Sequence, residues 1–216
     1  MKYPDDFINK IICGDCLEVM KEMPDKCVDL VLTDPPYGIN ENPYRVANRG
    51  KLAKTRYYGE WDWDKERIEK KHFDEIFRIS KNQIIFGGNY YLDYLHPTSC
   101  FIVWDKDNFG NDFADCELAW TSFKSAVRIF KWRWSGMLQE YMSNKEIRQH
   151  PTQKPLALFT WILKKYSKES DLILDPFLGS GTTAEACKLL HRNFIGIEIN
   201  PEYCKIAEER LAQGVL

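Results

Sequence analysis

Short apolar runs alternate along the chain with stretches in which apolar residues recur every three or four positions. That alternation predicts strands and amphipathic helices taking turns, as in an α/β domain with a largely parallel sheet. Lys10–Gly14 reads as a strand, followed by a helix from Cys16 to Met23. Val28–Thr33 (VDLVLT) reads as a buried strand running into Pro35 and Pro36, which end it and force a loop. Residues 41–62 show no period. Asp64–Ser80 predicts a helix with Ile68, Phe73, Ile76 and Phe77 on its apolar side. Gln83–Phe86 predicts a strand ending at Gly87-Gly88, then a short aromatic helix near Tyr90–Leu95. Cys100–Trp104 and Glu117–Phe123 read as two strands, whereas residues 124–149 alternate aromatic and basic side chains without a defined element. The last third is regular: helix Lys154–Tyr166, strand Asp171–Asp175, helix Gly181–Leu190, strand Asn193–Ile199, and helix Pro201–Leu211 with proline in its first turn.

With 216 residues, 44% of them apolar and 29% charged, the chain reads as one globular domain spanning 1–216. No apolar run reaches the 18 residues of a membrane helix, and the start MKYPDDFINK lacks a signal-peptide pattern, so no membrane and a cytoplasmic location are expected. The net charge of −2 hides an uneven distribution. Residues 42–58 carry Arg45, Arg49, Lys51, Lys54 and Arg56 with no acid, and residues 120–155 are also net +5, on an otherwise acidic body. Two such blocks suit a polyanion docked on one face, or two solvated basic loops. Seven cysteines do not make a disulfide framework in a cytosolic chain. Cys13 and Cys16 are spaced as C-x-x-C but lack a second ligand pair, so no metal site is expected. Cys27, Cys100, Cys116, Cys187 and Cys204 read as small core residues.

Two segments carry chemistry. In Leu172–Thr183 (LILDPFLGSGTT) a strand delivers Asp175 to its carboxyl end, a Gly-Ser-Gly turn follows and a helix begins. Such a turn lets backbone approach a ligand closely. The next strand ends at Glu198, where an acid can bind ribose hydroxyls. The unit therefore points to an adenosine-containing ligand. The second segment is Thr33–Gly38 (TDPPYG), also at a strand end, which places Asp34 and Tyr37 in the same crevice. A carboxylate, a proline carbonyl and an aromatic face suit a planar group bearing two N–H donors.

Asp34-Pro35-Pro36-Tyr37, followed far downstream by DPFLGSGTT, resembles the DNA amino-methyltransferases that use S-adenosylmethionine. The motif order resembles that family's beta class. His150–Pro155 (HPTQKP), Gly14-Asp15-Cys16 and GIEIN are further matches, in order, while residues 40–149 match only loosely. The resemblance implies a Rossmann-like, seven-stranded, mostly parallel sheet, circularly permuted, with inserted DNA-recognition segments at about 40–62 and 107–149. It implies Asp34, Pro35, Pro36 and Tyr37 as catalytic residues acting on a flipped-out base in double-stranded DNA. It implies a cofactor site formed by Asp15, Cys16, Asp34, Thr152, Lys154, Asp175, Phe177, Gly179, Ser180, Gly181, Thr182, Thr183, Glu198 and Ile199. DNA contacts are expected from Arg45, Arg49, Lys51, Lys131 and Arg133. Trp120, Phe123, Phe130, Trp132, Trp134 and Tyr141 serve either as base-stacking residues or as a small core. In this family Asp at the first motif position goes mostly with adenine N6 and Ser mostly with cytosine N4, so N6 is expected here. Cytosine N4, a catalytically inactive DNA-binding relative and a nicotinamide-dependent oxidoreductase are the competing readings. The resemblance also brings in a homodimer and a cognate restriction endonuclease as partners, with no interface signature in the sequence.

Overall fold

Among the described residues eight strands, most of them apolar runs, form one sheet. In chain order they are β1 (Lys10–Cys13), β2 (Val28–Thr33), β3 (Ser80–Phe86), β4 (Phe101–Asp105), β5 (Cys116–Thr121), β6 (Arg128–Lys131), β9 (Leu172–Asp175) and β10 (Asn193–Glu198). A separate two-residue pair, β7 (Trp134–Ser135) with β8 (Leu138–Gln139), forms a small hairpin. The helices are α1 (Cys16–Lys21), α2 (Lys70–Ile79), α3 (Leu156–Tyr166), α4 (Thr182–Leu189) and α5 (Pro201–Ala212). The computed structural model describes residues 1–39, 66–108, 114–135, 138–146 and 153–213.

Across the sheet the order is β1-β10-β9-β2-β3-β5-β4-β6. All neighbours pair parallel except β5, which runs antiparallel to both β3 and β4. β2 and β9 are almost fully buried along their length, as expected of parallel strands covered on both faces. Leu30, Leu32, Ile84 and Ile173 pack with Leu158, Phe159, Ile162 and Leu163 of α3 and Ala184 and Cys187 of α4 on one face. On the other, Val31, Leu174 and Ile197 pack with Val19 and Met20 of α1 and Ile76 and Ile79 of α2. Arg78 ties α2 to the end of α1 by donating to the Met20 and Met23 carbonyls and pairing with Glu75 and Asp25.

The expected class is present, with local differences. An eighth strand, β6, extends the sheet beyond the seven expected. Its sequence RIFK leaves Ile129 exposed at the edge and hides the strand from a hydropathy reading, and charged groups at such an edge discourage further pairing. β5 and β6, within the span 107–149, pair into the main sheet. α2 begins at Lys70, not Asp64, because Arg67 is drawn into an antiparallel bridge with Tyr37; β3 in turn starts at Ser80, paired with Val28. Cys116 is exposed, unlike buried Cys100, Cys187 and Cys204, and Cys27 is half-buried.

Gly181 carries a positive φ of 88°, and a Cβ there would lie 2.8 Å from the Cβ of Ala207 on α5. Gly181→Ala is therefore expected to destabilise the fold, by about 1–2 kcal/mol from the left-handed backbone and about 1–3 kcal/mol from overpacking. Gly14→Ala, whose added Cβ would meet only Val19 at 3.8 Å, should leave stability nearly unchanged. Urea unfolding midpoints of the two variants check the contrast.

Candidate functional site

Because the strands other than β5 run the same way, their carboxyl ends share one edge of the sheet, and β5 alone presents its amino end there. Ligands of open α/β sheets bind beyond that edge. Asp34 follows β2, the Gly179–Gly181 turn follows β9, Glu198 ends β10, and Glu117 lies near the start of reversed β5.

The loop after β2 is held from several sides. Tyr37 donates its hydroxyl to Asp34 Oδ1, and Tyr91 donates its hydroxyl to the Pro36 carbonyl. The Tyr37 ring stacks on Tyr90 with centroids 4.8 Å apart and planes 18° from parallel. A Cβ on Gly87 would stand 2.1 to 2.6 Å from three adjacent Tyr37 ring atoms, so glycine is required for that close approach. Arg67, paired with Asp93, donates to the Tyr90 carbonyl at 2.9 Å.

Lys154, 5% exposed, donates to Asp34 Oδ2, and its Nζ lies 3.4 Å from the Tyr37 hydroxyl and 4.8 Å from the centre of the Phe86 ring. On its other side Lys154 Nζ stands 3.2 Å from Glu117 Oε2. That oxygen is buried without a hydrogen bond of proper geometry, so the contact is one of charge. Glu117 Oε1 pairs with Lys106. Four alternating charges, Asp34, Lys154, Glu117 and Lys106, thus run from the crevice toward β4. Burial raises the Asp34 carboxyl above its ordinary value against the pull of Lys154. Burial also raises the Tyr37 phenol well above the usual range, reinforced by Asp34. For Glu117 burial acts upward, but Lys154 and Lys106 outweigh it and bring the carboxyl down to about 2. Burial acts downward on Lys154, and Asp34 and Glu117 reverse it.

The glycine turn is braced from below and open in front. Asp175, raised to about 6 by burial, accepts from Thr33 Oγ1 at 2.7 Å, from the Phe177 N–H at 3.1 Å and from the Thr183 hydroxyl. Glu198 accepts from the Gly179 N–H and the Asn200 N–H, each at 2.8 Å, and burial raises its carboxyl. Arg210 donates to the Ser180 carbonyl at 2.7 Å and pairs with Glu185; Ser180 donates to Gln153 at 3.3 Å. Gly179 has φ 54°, and a Cβ built there meets nothing within 4 Å. The open space before Gly179, with a part-buried acid beside it, fits a ligand that approaches backbone and carries hydroxyl groups. Asp15 caps α1 through the Leu17 N–H at 2.7 Å, Cys16 is buried with its thiol pushed up to about 12, and Ile199 is exposed. Phe177 is half-buried beside His72, with ring centres 6.2 Å apart.

Lys131 and Arg133 lie at the same edge, and both pair with Asp107. Arg45, Arg49, Lys51 and Thr152 lie outside the described residues. Trp120 and Trp134 are buried, their indole N–H groups donating to the His96 and Gln153 carbonyls. Phe123, Phe130 and Trp132 pack against the core, whereas Tyr141 is exposed. Glu117, Lys106, Tyr90, Tyr91 and Gly87 were not among the sequence candidates. Only the Gly87-Gly88 pair, immediately after a strand, offered a signal for that side of the crevice.

The N6/N4 DNA methylase family model matches residues 122–209. The type II methyltransferase M.HinfI of Haemophilus influenzae is 29% identical, over 97% of this chain and 70% of that protein. M.HpaI of Haemophilus parainfluenzae is 28% identical, over 94% and 74%. Among solved structures, the M1.HpyAVI–S-adenosylmethionine complex covers 94% of this chain and 98% of its own, at 28% identity and a TM-score of 0.59. The cytosine-N4-specific PvuII DNA methyltransferase shares the fold, at 16% identity, a TM-score of 0.61 and 93% and 85% coverage. With two strand-end motifs converging on one edge of a sheet shared with these enzymes, the similarities support a beta-class DNA amino-methyltransferase that uses S-adenosylmethionine.

Proposed function

We propose that this methyltransferase acts on adenine N6, with Asp34 as the group that receives the amino hydrogen and Tyr37 as the stacking partner of the flipped base. The observation carrying this reading is Asp34 itself: an aspartate at the head of the DPPY segment, at the crevice edge, with Tyr37 and Lys154 on its two oxygens. Each carboxylate oxygen accepts more than one hydrogen bond, so both contacts leave room for an amino donor. An exocyclic amine conjugated with its ring is a poor nucleophile, and in a duplex it is also paired. Extruding the nucleotide costs roughly a few kcal/mol, which stacking on an aromatic ring offsets in part. Bound S-adenosylmethionine supplies an electrophilic methyl group. As the amino nitrogen takes that methyl it gains positive charge, which the Asp34 carboxylate stabilises before taking the proton. The raised Asp34 value favours that acceptance. The Pro35 carbonyl is the second acceptor in this scheme, and Pro36 holds the loop rigid.

For the cofactor, Gly179 offers open backbone and Glu198 a carboxylate for ribose hydroxyls. Asp175, Thr182, Thr183, Ser180 and Gly181 shape the turn from behind, and Asp15, Cys16, Phe177 and Ile199 border it. For DNA, Lys131 and Arg133 at the crevice edge form part of the docking face, together with Arg45, Arg49 and Lys51. Phosphates replace Asp107 as their partner.

Asp34→Asn should lower turnover on the order of 10²–10³-fold, the usual cost of removing one preorganised electrostatic contact, without loss of the fold. Single-turnover transfer from tritiated S-adenosylmethionine measures it. Long-read sequencing of DNA from cells expressing the protein should show N6-methyladenine at one short word. An N4-methylcytosine signature instead would overturn the adenine assignment, and unmodified DNA would favour an inactive relative.

Glu198→Gln is expected to weaken cofactor binding by about 1.5–3 kcal/mol through loss of charge-assisted hydrogen bonds. Gly179→Val should do so by filling the open space before the turn. Calorimetric titration with S-adenosylhomocysteine checks both, and NAD should give no heat.

Lys131→Ala and Arg133→Ala should each weaken DNA binding while sparing cofactor affinity. Each lost phosphate contact reduces the log-affinity against log-salt slope by about 0.9. Parallel slopes for wild type and variants would remove these two residues from the DNA face.

A further inference from the structure

Lys154 is the buried cation of the crevice, and it has two carboxylates to choose between. Asp34 from the loop after β2 takes one side, Glu117 from β5 the other at 3.2 Å. The remaining groups around it are the Tyr37 hydroxyl at 3.4 Å and the Phe86 ring at 4.8 Å. Glu117 is in turn paired with Lys106, which sits 5.2 Å from the centre of the Trp104 ring. Asp175, at the end of neighbouring β9, adds negative charge near Asp34. The charge of Glu117 bears on both Asp34 and Tyr37. Its buried Oε2 has Lys154 as its charged neighbour. An acid at this position therefore acts on the crevice both by its own charge on Asp34 and through Lys154.

We propose that Glu117 is a positioning residue for methyl transfer: it holds the far side of the Lys154 ammonium, so that this charge does not fall wholly on Asp34, and the Asp34 carboxylate keeps its capacity to accept a proton from the target amino group. The proposal rests on the reading of Asp34 given above. Its physical basis is a competition. A lysine held by one carboxylate alone would lower that carboxylate's affinity for a proton, and a negative charge beyond the lysine raises it again. In the transfer step the methyl–sulfur bond breaks with its electron pair remaining on sulfur, the carbon–nitrogen bond forms, and the proton displaced from nitrogen passes to Asp34 and then to solvent.

Opposite charge changes on the two sides of Lys154 give opposite results. The experiment is the pH dependence of kcat/KM for unmethylated genomic DNA at saturating S-adenosylmethionine. In Lys154→Met the acid limb should move up by about one unit, as expected for loss of an adjacent cation. In Glu117→Gln it should move down, with a lower plateau. Lys106→Met, which leaves Glu117 to draw Lys154 away from Asp34, should move the limb up by less than Lys154→Met; it keeps the proposal testable if Glu117→Gln does not fold. A purely structural role for Glu117 would lower the plateau without moving the limb. An unmoved limb in Glu117→Gln, or a shift in the same direction as Lys154→Met, overturns the proposal; so does an unmoved limb in Lys106→Met. If Asp34→Asn keeps near-normal turnover, the reading of Asp34 falls and this proposal with it; if Asp34→Asn is inactive and the limbs do not move, only the role of Glu117 falls.

Discussion

Asp175 stands at the carboxyl end of β9 and accepts hydrogen bonds from Thr33 at the end of β2, from the Phe177 N–H in the turn that follows, and from Thr183 in the first turn of α4. Thr33 immediately precedes Asp34, and Phe177 and Thr183 flank the glycine turn. One buried carboxylate therefore ties the DPPY segment to the glycine turn. Burying an acid without such partners would cost several kcal/mol; three donors supply the compensation. Methyl transfer needs donor and acceptor held in line, and positioning of that kind accounts for a large share of enzymatic acceleration.

A second constraint is electrical neutrality. Lys154 is almost fully buried, and a lone buried ammonium would give up its proton. Flanked by Asp34 and Glu117 it stays charged, and Lys106 closes the series. Such a chain is sensitive to the loss of any member, because removing one partner leaves the other buried and unpaired.

The strands and helices of the last third were legible because each apolar run is bounded by a turn residue and buried on both faces. Pro201 in the first turn of α5 and the Asn200 side chain that caps it mark that boundary chemically. Edge strand β6 was not legible, since Arg128 and Lys131 face solvent and leave no alternation to read. The start of α2 was displaced by a tertiary contact, the backbone bridge between Arg67 and Tyr37, which no local propensity encodes. At the crevice, Asp34, Tyr37, Gly179 and Glu198 stood out because strand-end position and residue type together carry meaning. Glu117 did not, because an acid within a strand reads as a solvent-facing residue unless the strand's reversal is known. Lys154, placed by resemblance beside the cofactor, is directed at Asp34 in the folded chain.

The pairing of β9 with β2 joins residues 142 apart in the chain, as the Thr33–Asp175 bond shows, and among the described residues β1 pairs with β10. A ribosome releasing this chain thus delivers β1 and β2 long before the strands that belong beside them. Loop-closure entropy must be met before those contacts form, and proteins dominated by such distant pairings fold slowly. Until β9 and β10 emerge, β1 lacks a neighbour and one flank of β2 is open, the kind of unpaired edge that promotes aggregation. The part of the chain bearing Asp34 therefore leaves the ribosome as an unfinished sheet, and it gains the Gly179–Gly181 turn beside it only after β9 has emerged.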